Sequence, residues 1–340
     1  MGKKNIVLKT YMNKPERIQS VLEYYTREKL PEDWASRCEE ESGFYPVVNS
    51  KGIITHRERD ILKRVKTDSG SYLLGIENQE KINLIFPWRL MQMDCLAYER
   101  QIEEIQERNN RQNKEQNVKY ESSDDYLYRY KEGDYLEPVI NLMLYWGKQK
   151  WQKPLNVRDM VNFSEVPLKI KEMFKNYGVN IVDMRSIPEE ALEEMKSDLK
   201  YVLGIMKCGN SSKKYIEYIQ KNEDFFSRIP KSAADVINVC MNIKKINELL
   251  EYTQSEDGEE CADMCKAVDD MIKHSEERGR KQGRKQGRKQ GRKQGRKQGR
   301  ESLLTLIKMM TEEGEANLIP RLSQEPDFLK SMYKKYRLEF

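Results

Sequence analysis

Long apolar runs are missing from this chain: nothing in its 340 residues approaches the eighteen or so apolar residues of a membrane-spanning helix. The amino-terminal stretch MGKKNIVLKT has no signal-peptide core, and Ile6 stands where a myristoylation signal carries Ser or Thr. A cytoplasmic protein with no membrane partner is the expectation. Histidine is nearly absent, with His56 and His274 alone. The six cysteines, Cys38, Cys95, Cys208, Cys240, Cys261 and Cys265, are scattered apart from the last two, whose CxxxC spacing makes no zinc site with so little imidazole. They read as reduced thiols. One stretch lacks acid altogether: residues 279–300 hold eleven Lys or Arg and no Asp or Glu. The net charge of +5 is therefore misleading, since the remainder carries 50 basic against 56 acidic residues, a net of −6. A non-specific grip on nucleic acid would come from that stretch or from a local patch, and would weaken with salt.

What is present suits a folded protein with exposed helices, 38% hydrophobic and 34% charged, and long enough for two domains. Its most informative stretch is RERDILKRVKTDSGSYLLGIENQ, residues 57–79. The runs DILKRVK and SYLLGIE flank the turn-forming TDSG, which predicts two antiparallel strands. With Asp68 and Ser69 at the tip, Asp60 faces Glu77 across the ladder; a three-residue DSG loop with Gly70 left-handed would shift the pairing by one. Directly opposed side chains have Cβ atoms about 4.5–5.5 Å apart, and like charges there are destabilising unless something sits between them. A divalent cation is the natural guest. Gln79, two residues beyond Glu77, projects from the same face.

The Asp60 and Glu77-Asn78-Gln79 arrangement resembles the PD-(D/E)XK nuclease superfamily, in its recombination-promoting nuclease or YhgA-like transposase branch, which carries Asp at the start of one strand and Glu-x-Gln at the end of the next. The segments LLGIENQEKINLIFPWRLMQMDCLAYERQ, EPVINLMLYWGKQKWQKPLNVRDM and DMCKAVDDMIKHSEERGRKQG are similar to further landmarks of that branch. The resemblance covers most of residues 1–300. It implies an α/β (α+β) fold: a PD-(D/E)XK restriction-endonuclease-like core with a mixed central sheet flanked by helices, followed by a helical C-terminal region. It implies Asp60, Glu77 and Gln79 as catalytic residues, with Asp60 and Glu77 holding Mg2+ or Mn2+, and cleavage of DNA strands in recombination or mobile-element movement. Gln79 occupies the position of the superfamily's usual Lys, and an amide acts as neither base nor cation.

Along the chain, KPERIQSVLEYYTREKL predicts an amphipathic helix over residues 14–30, in which the resemblance implies Glu23 as a candidate further acid and the pattern alone a solvated helix charge. FYPVV, residues 44–48, reads as a first strand. Pro87 opens a helix to about Asn109 with an apolar stripe of Trp88, Met91, Cys95, Tyr98, Ile102 and Ile105, and Arg89 and Arg100 are within reach of phosphates from such a helix. Residues 108–136 have the composition of a long surface loop. PVINLMLYW, residues 138–146, is apolar enough for a central strand buried on both faces, and NIVDM, residues 180–184, is the last strand. In the loop between them Lys148, Lys150, Lys153 and Trp151 suit a backbone-and-stack contact to nucleic acid, or else a solvated loop with Trp151 folded onto the core. From Pro188 the pattern is wholly helical, including a helix started by Ser232 and Asp235 and running to Thr253.

Residues 279–298 are five tandem copies of Gly-Arg-Lys-Gln, closed by Gly299-Arg300. Six glycines at about 1 kcal/mol each, with cations at i and i+4, predict a segment that is disordered in isolation or a frayed helix between two genuine helices. Arg280, Lys281, Arg284, Lys285 and their repeats are candidate DNA contacts; the alternative is an expandable spacer. The organisation expected is a nuclease-like core over 1–185, a helical annex over 186–275, the basic repeat to 300, and a helical module over 301–340 suited to docking or to a homodimer. Three functional readings are open. The first is a metal-dependent DNA endonuclease; the second is a nucleic-acid-binding or scaffold protein that keeps the fold without catalysis. In the third, Asp60 caps a turn and Glu77 pairs with Arg57, Arg59 or Arg64.

Overall fold

A computed structural model describes residues 2–48, 51–116, 119–152, 154–209, 211–241, 248–255 and 258–339. The chain divides into two compact units, Met1–Val268 and Asp269–Phe340. The first is a mixed α/β unit organised on a five-stranded sheet. Its strands are β1 (Cys38–Glu40), β4 (Ile61–Lys66), β5 (Ser71–Gln79), β6 (Val139–Tyr145) and β7 (Ile181–Asp183), in that spatial order. β1, β4 and β5 are antiparallel, whereas β5, β6 and β7 run parallel. Two further strands, β2 (Phe44–Val48) and β3 (Ile54–Glu58), pair only with each other. FYPVV is thus a strand, but of a separate ribbon, and the sheet edge is the short β1 instead.

The β4–β5 hairpin has the register expected from its turn, pairing Ile61 with Ile76 and Lys66 with Ser71. The Thr67 amide closes the loop onto the Gly70 carbonyl at 2.8 Å. β5 and β6 are buried almost end to end, because helices cover both faces of the sheet. On one face lie α1 (Lys3–Met12) and α2 (Pro15–Thr26), which bury Leu8, Tyr11, Met12, Ile18 and Val21. Arg17 of α2 is buried too, paired with Asp198 at 2.6 Å and stacked on Tyr11. On the other face α3 (Phe86–Gln116) packs Phe86, Leu90 and Met93 against Met143 of β6.

The buried stripe of α3 differs from the one its apolar residues suggest. Phe86, Leu90, Met93, Asp94, Ala97, Gln101, Ile105 and Asn109 are buried, while Trp88, Cys95 and Ile102 are exposed. Asp94, Gln101 and Asn109 are buried because each has hydrogen-bond partners inside: Gln101 grips the Glu137 backbone and Asn109 holds Asp134 at 2.7 Å. The expected loop over 108–136 is also shorter, since α3 continues to Gln116 and Ser122 caps a helix over Ser123–Tyr128.

The segment after Pro188 is mostly helical but not wholly so. Ile229–Pro230, Glu260–Ala262 and Tyr252–Gln254 form a small three-stranded sheet. Tyr252 and Thr253 therefore lie in a strand, and the expected helix ends earlier, with Lys231–Met241 described and residues 242–247 outside the described set. Met264–Glu312 is one helix that passes through the whole Gly-Arg-Lys-Gln repeat, with residues 273–301 exposed. Helical turns on either side remove the nucleation cost, and Arg, Lys and Gln favour helix, so the glycines do not break it. In the second unit Leu306 and Met310 pack against Leu322, Met332, Tyr333 and Tyr336.

Candidate functional site

The site forms where the open end of the β4–β5 hairpin meets α1. Asp60 immediately precedes β4, and Glu77 sits near the end of β5 beside Met143 of β6. Each carboxylate is gripped by backbone from the other strand. The Asn78 amide donates to Asp60 Oδ2 at 2.8 Å, and the Asp60 amide donates to Glu77 Oε1 at 3.3 Å. Asn5 of α1 adds Nδ2 to Asp60 Oδ1 at 3.2 Å. Asp60 is 6% exposed and Glu77 3%. Burial first, then the neighbouring Asp60 charge, push the Glu77 carboxyl up to about 8. Burial raises Asp60 as well, against the lowering effect of its hydrogen bonds and of Lys9.

None of the three arginines weighed as partners for Glu77 is within ion-pair distance of it. Arg57 donates to Gln92 at 3.1 Å, and Arg64 is held by Glu137 and Glu41. Arg59 is engaged by Asp94 of α3 at 2.5 Å and by Asn141 of β6. Asp94 in turn accepts from Asn141 Nδ2 and from the Tyr177 hydroxyl, both at 2.5 Å. Arg59 and Arg89 still act on Glu77 electrostatically and lower its pKa against burial. This buried network depends on Gly75: a Cβ there would lie 2.4 Å from Arg59 Nη1 and 2.5 Å from Asn141 Oδ1.

A cavity of about 590 Å3 opens onto Asp60 from the side of α1 and β4. Four acids line it, and three have basic partners: Glu40 with Lys63, Glu41 with Arg64, and Glu58 with Lys9 at 2.9 Å. Asp60 has none among the described residues. Gln79 ends β5 half-buried, its carbonyl bonded to the Trp146 amide at 2.8 Å and its side-chain amide without a hydrogen bond among the described residues. The carboxylates thus meet three donors, leave lone pairs open, and face no direct counter-charge. Such hard oxygen donors fit Mg2+ or Mn2+.

Other sequence candidates fall elsewhere. Trp151 packs edge-on against Tyr145, with centroids 5.2 Å apart, and joins the core beneath α3, so it is no free stacking platform. Lys148 and Lys150 are exposed, and Lys153 lies outside the described residues. Arg280, Lys281, Arg284 and Lys285 are exposed on the long helix. Glu23 caps the end of its own region by accepting from Gln19 and the Leu30 amide, away from the acid pair. Arg100 is a brace: it donates to the Ser42 carbonyl at 2.7 Å, also holds that of Phe44, and lies over the Tyr45 ring. Asn5, Lys9 and Asp94 were not singled out from sequence, and Arg59 only as a partner of Glu77. The signals for the network were a glycine inside a buried strand at Gly75 and a lone amide, Asn141, inside an apolar run.

No curated protein and no solved structure matches this chain. A family model does match, over residues 4–236, which takes in the whole five-stranded sheet, the acid pair and all of α1 but Lys3. On that match, which spans well over half of its length, the chain belongs to the family described as Putative transposase, YhgA-like.

Proposed function

We propose that this chain is a DNA endonuclease of the PD-(D/E)XK type, dependent on Mg2+ or Mn2+ held by Asp60 and Glu77. The observation that carries the reading is the uncompensated pair: two buried carboxylates share one spot with no cation in contact among the described residues, while every other acid of the adjoining cavity is paired. Burying like charges together is costly unless a cation enters. A bound divalent cation supplies Lewis acidity toward a phosphate oxygen and a more acidic water.

The chain's own groups would do the rest. The Asn78 and Asp60 amides, with Asn5, hold the carboxylate oxygens in fixed directions before any ligand arrives. Lys9, on the cavity wall, favours ionised Asp60 through its charge. Gln79 has an amide free to orient a water or a phosphate oxygen, but it transfers no proton. Exposed Lys148 and Lys150 and the basic stretch 279–300 would neutralise phosphates along the DNA without reading its sequence. The family match supports a setting in recombination or mobile-element movement.

The test is nicking of supercoiled DNA by purified protein with Mg2+ or Mn2+, beside Asp60→Ala, Glu77→Ala and a deletion of 279–300. Activity lost in either point variant, and only weakened with rising salt in the deletion, supports the reading. The second reading, DNA binding without cleavage, rests on Gln79 in place of a proton-transferring group. Equal inertness of wild type and both point variants, with DNA still bound, would establish it instead.

A further inference from the structure

Away from the acid pair, the helices Leu199–Lys207 and Ser212–Lys221 enclose a cavity of about 430 Å3. Each helix contributes two lysines seven residues apart, Lys200 and Lys207 on the first and Lys214 and Lys221 on the second. Seven residues are two turns, so each pair shares a helix face with about 10.5 Å of rise between its members. Four lysines therefore border one concavity. None of them makes an ion pair among the described residues, whereas Lys213, next to Lys214, is paired with Glu217. Glu189 and Glu193 also line the cavity and make no ion pair among the described residues, so its lining carries an excess of two positive charges.

The walls are aromatic. Tyr201 is stacked on Phe225 with centroids 4.3 Å apart, which holds its ring in place. Tyr218 lies directly over Gly204, where a Cβ would come within 1.9 Å of its hydroxyl oxygen. The glycine is what lets that ring lie against the neighbouring helix and form a wall of the cavity. The Tyr218 hydroxyl, against Gly204, donates a long 3.5 Å hydrogen bond to the Lys200 carbonyl. Lys207, Lys214 and Lys221 are exposed and Lys200 Nζ lies 5.0 Å from the Tyr201 ring centroid, so the cations bordering this aromatic-walled space are open to an anion, and lysines beside aromatic rings are the chemistry that binds phosphate and base together. The volume falls in the range of small-ligand sites, about 300–1,000 Å3.

We propose that this cavity binds a phosphorylated nucleoside, either a free nucleotide or one nucleotide unit of a DNA strand. The lysines take the phosphate and the tyrosine walls take the base. The site is independent of the metal reading of Asp60 and Glu77 and stands if that reading fails.

Isothermal titration of the full chain with ATP, with a 5′-phosphorylated ten-residue oligothymidylate and with inorganic phosphate tests it. The comparison is between wild type, Lys207→Glu/Lys214→Glu, its Gln counterpart Lys207→Gln/Lys214→Gln, and Lys213→Glu as control. All three substituted positions are exposed, and equal melting temperatures verify the fold. Affinity for ATP or the oligonucleotide should fall at least tenfold in the Glu pair, less in the Gln pair, and stay within twofold in Lys213→Glu. Saturable ATP binding that displaces the oligonucleotide identifies the free nucleotide as sufficient; oligonucleotide binding that ATP does not displace, and that the Glu pair weakens at least tenfold, identifies the strand. Absence of saturable nucleotide binding, binding unchanged in the Glu pair, or phosphate binding as tight as nucleotide binding would overturn the proposal.

Discussion

Replacing Glu77 by Gln removes a charge while keeping the side chain's shape, and burial decides the effect on stability. The Glu77 carboxyl ionises near 4.5 in an unfolded chain and at about 8 in the folded one. Between these values the folded state binds more protons than the unfolded state. Its contribution is therefore fully present below pH 4.5 and is lost as pH rises toward about 8, at up to about 1.4 kcal/mol per pH unit. Across the whole window this is on the order of 5 kcal/mol for metal-free protein. Asp60, also raised by burial, acts in the same direction from a lower starting point. Glu77→Gln keeps only the Asp60 contribution, so its stability should decline with rising pH much less than that of wild type. Urea unfolding in EDTA at pH 5, 6, 7 and 8 reads the difference. Millimolar Mg2+ should then recover wild-type stability at pH 8, because a bound cation favours the ionised pair, and leave Glu77→Gln unmoved. Parallel pH curves for the two proteins would refute the account of Glu77 as a buried, uncompensated acid.

Gly75→Ala, with its Cβ forced to 2.4 Å from Arg59, should cost about 1–3 kcal/mol in chemical denaturation. Asp94→Ala should cost more, about 3–5 kcal/mol, because it strands the Arg59 guanidinium in the interior. Trp151→Ala should lower the melting temperature, with a loss of roughly 2–3 kcal/mol for the half-buried ring, yet leave DNA affinity by fluorescence anisotropy unchanged. Deleting residues 279–300 should flatten the dependence of DNA affinity on salt, since eleven cations go with it; an unchanged slope would place the phosphate contacts elsewhere.

Where local chemistry dictates geometry, the fold was readable before any coordinates. The tip at Asp68-Ser69 pins the β4–β5 register, and that register alone brings Asp60 to Glu77. The apolar run around Leu142 and Leu144 could only be a strand with both faces covered. The failures have a common cause, which is polarity placed inside. Asp94, Gln101 and Asn109 interrupt the apolar rhythm of α3, so the visible stripe shifts onto Trp88, Cys95 and Ile102, which face outward. Strands of two or three residues, such as Ile229–Pro230 and Tyr252–Gln254, are too short to display any period. Arg59 is one basic residue among several near the hairpin, and only the approach of α3 supplies Asp94, the carboxylate that holds it in the interior.

The reciprocal clasp of the two carboxylates by opposite backbones also ties the site to a loop far from it. Glu77 is six residues along β5 from Ser71, where the strand leaves the tip, about 20 Å away at strand rise. A residue inserted between Lys66 and Ser71 that stays within the loop is harmless. The same insertion taken up as a one-residue slip of the ladder turns every β5 side chain to the opposite face, Glu77 included, and unmakes both amide contacts together. Length variation at this tip is therefore a form of genetic change by which a descendant could keep the sheet while discarding its acid pair.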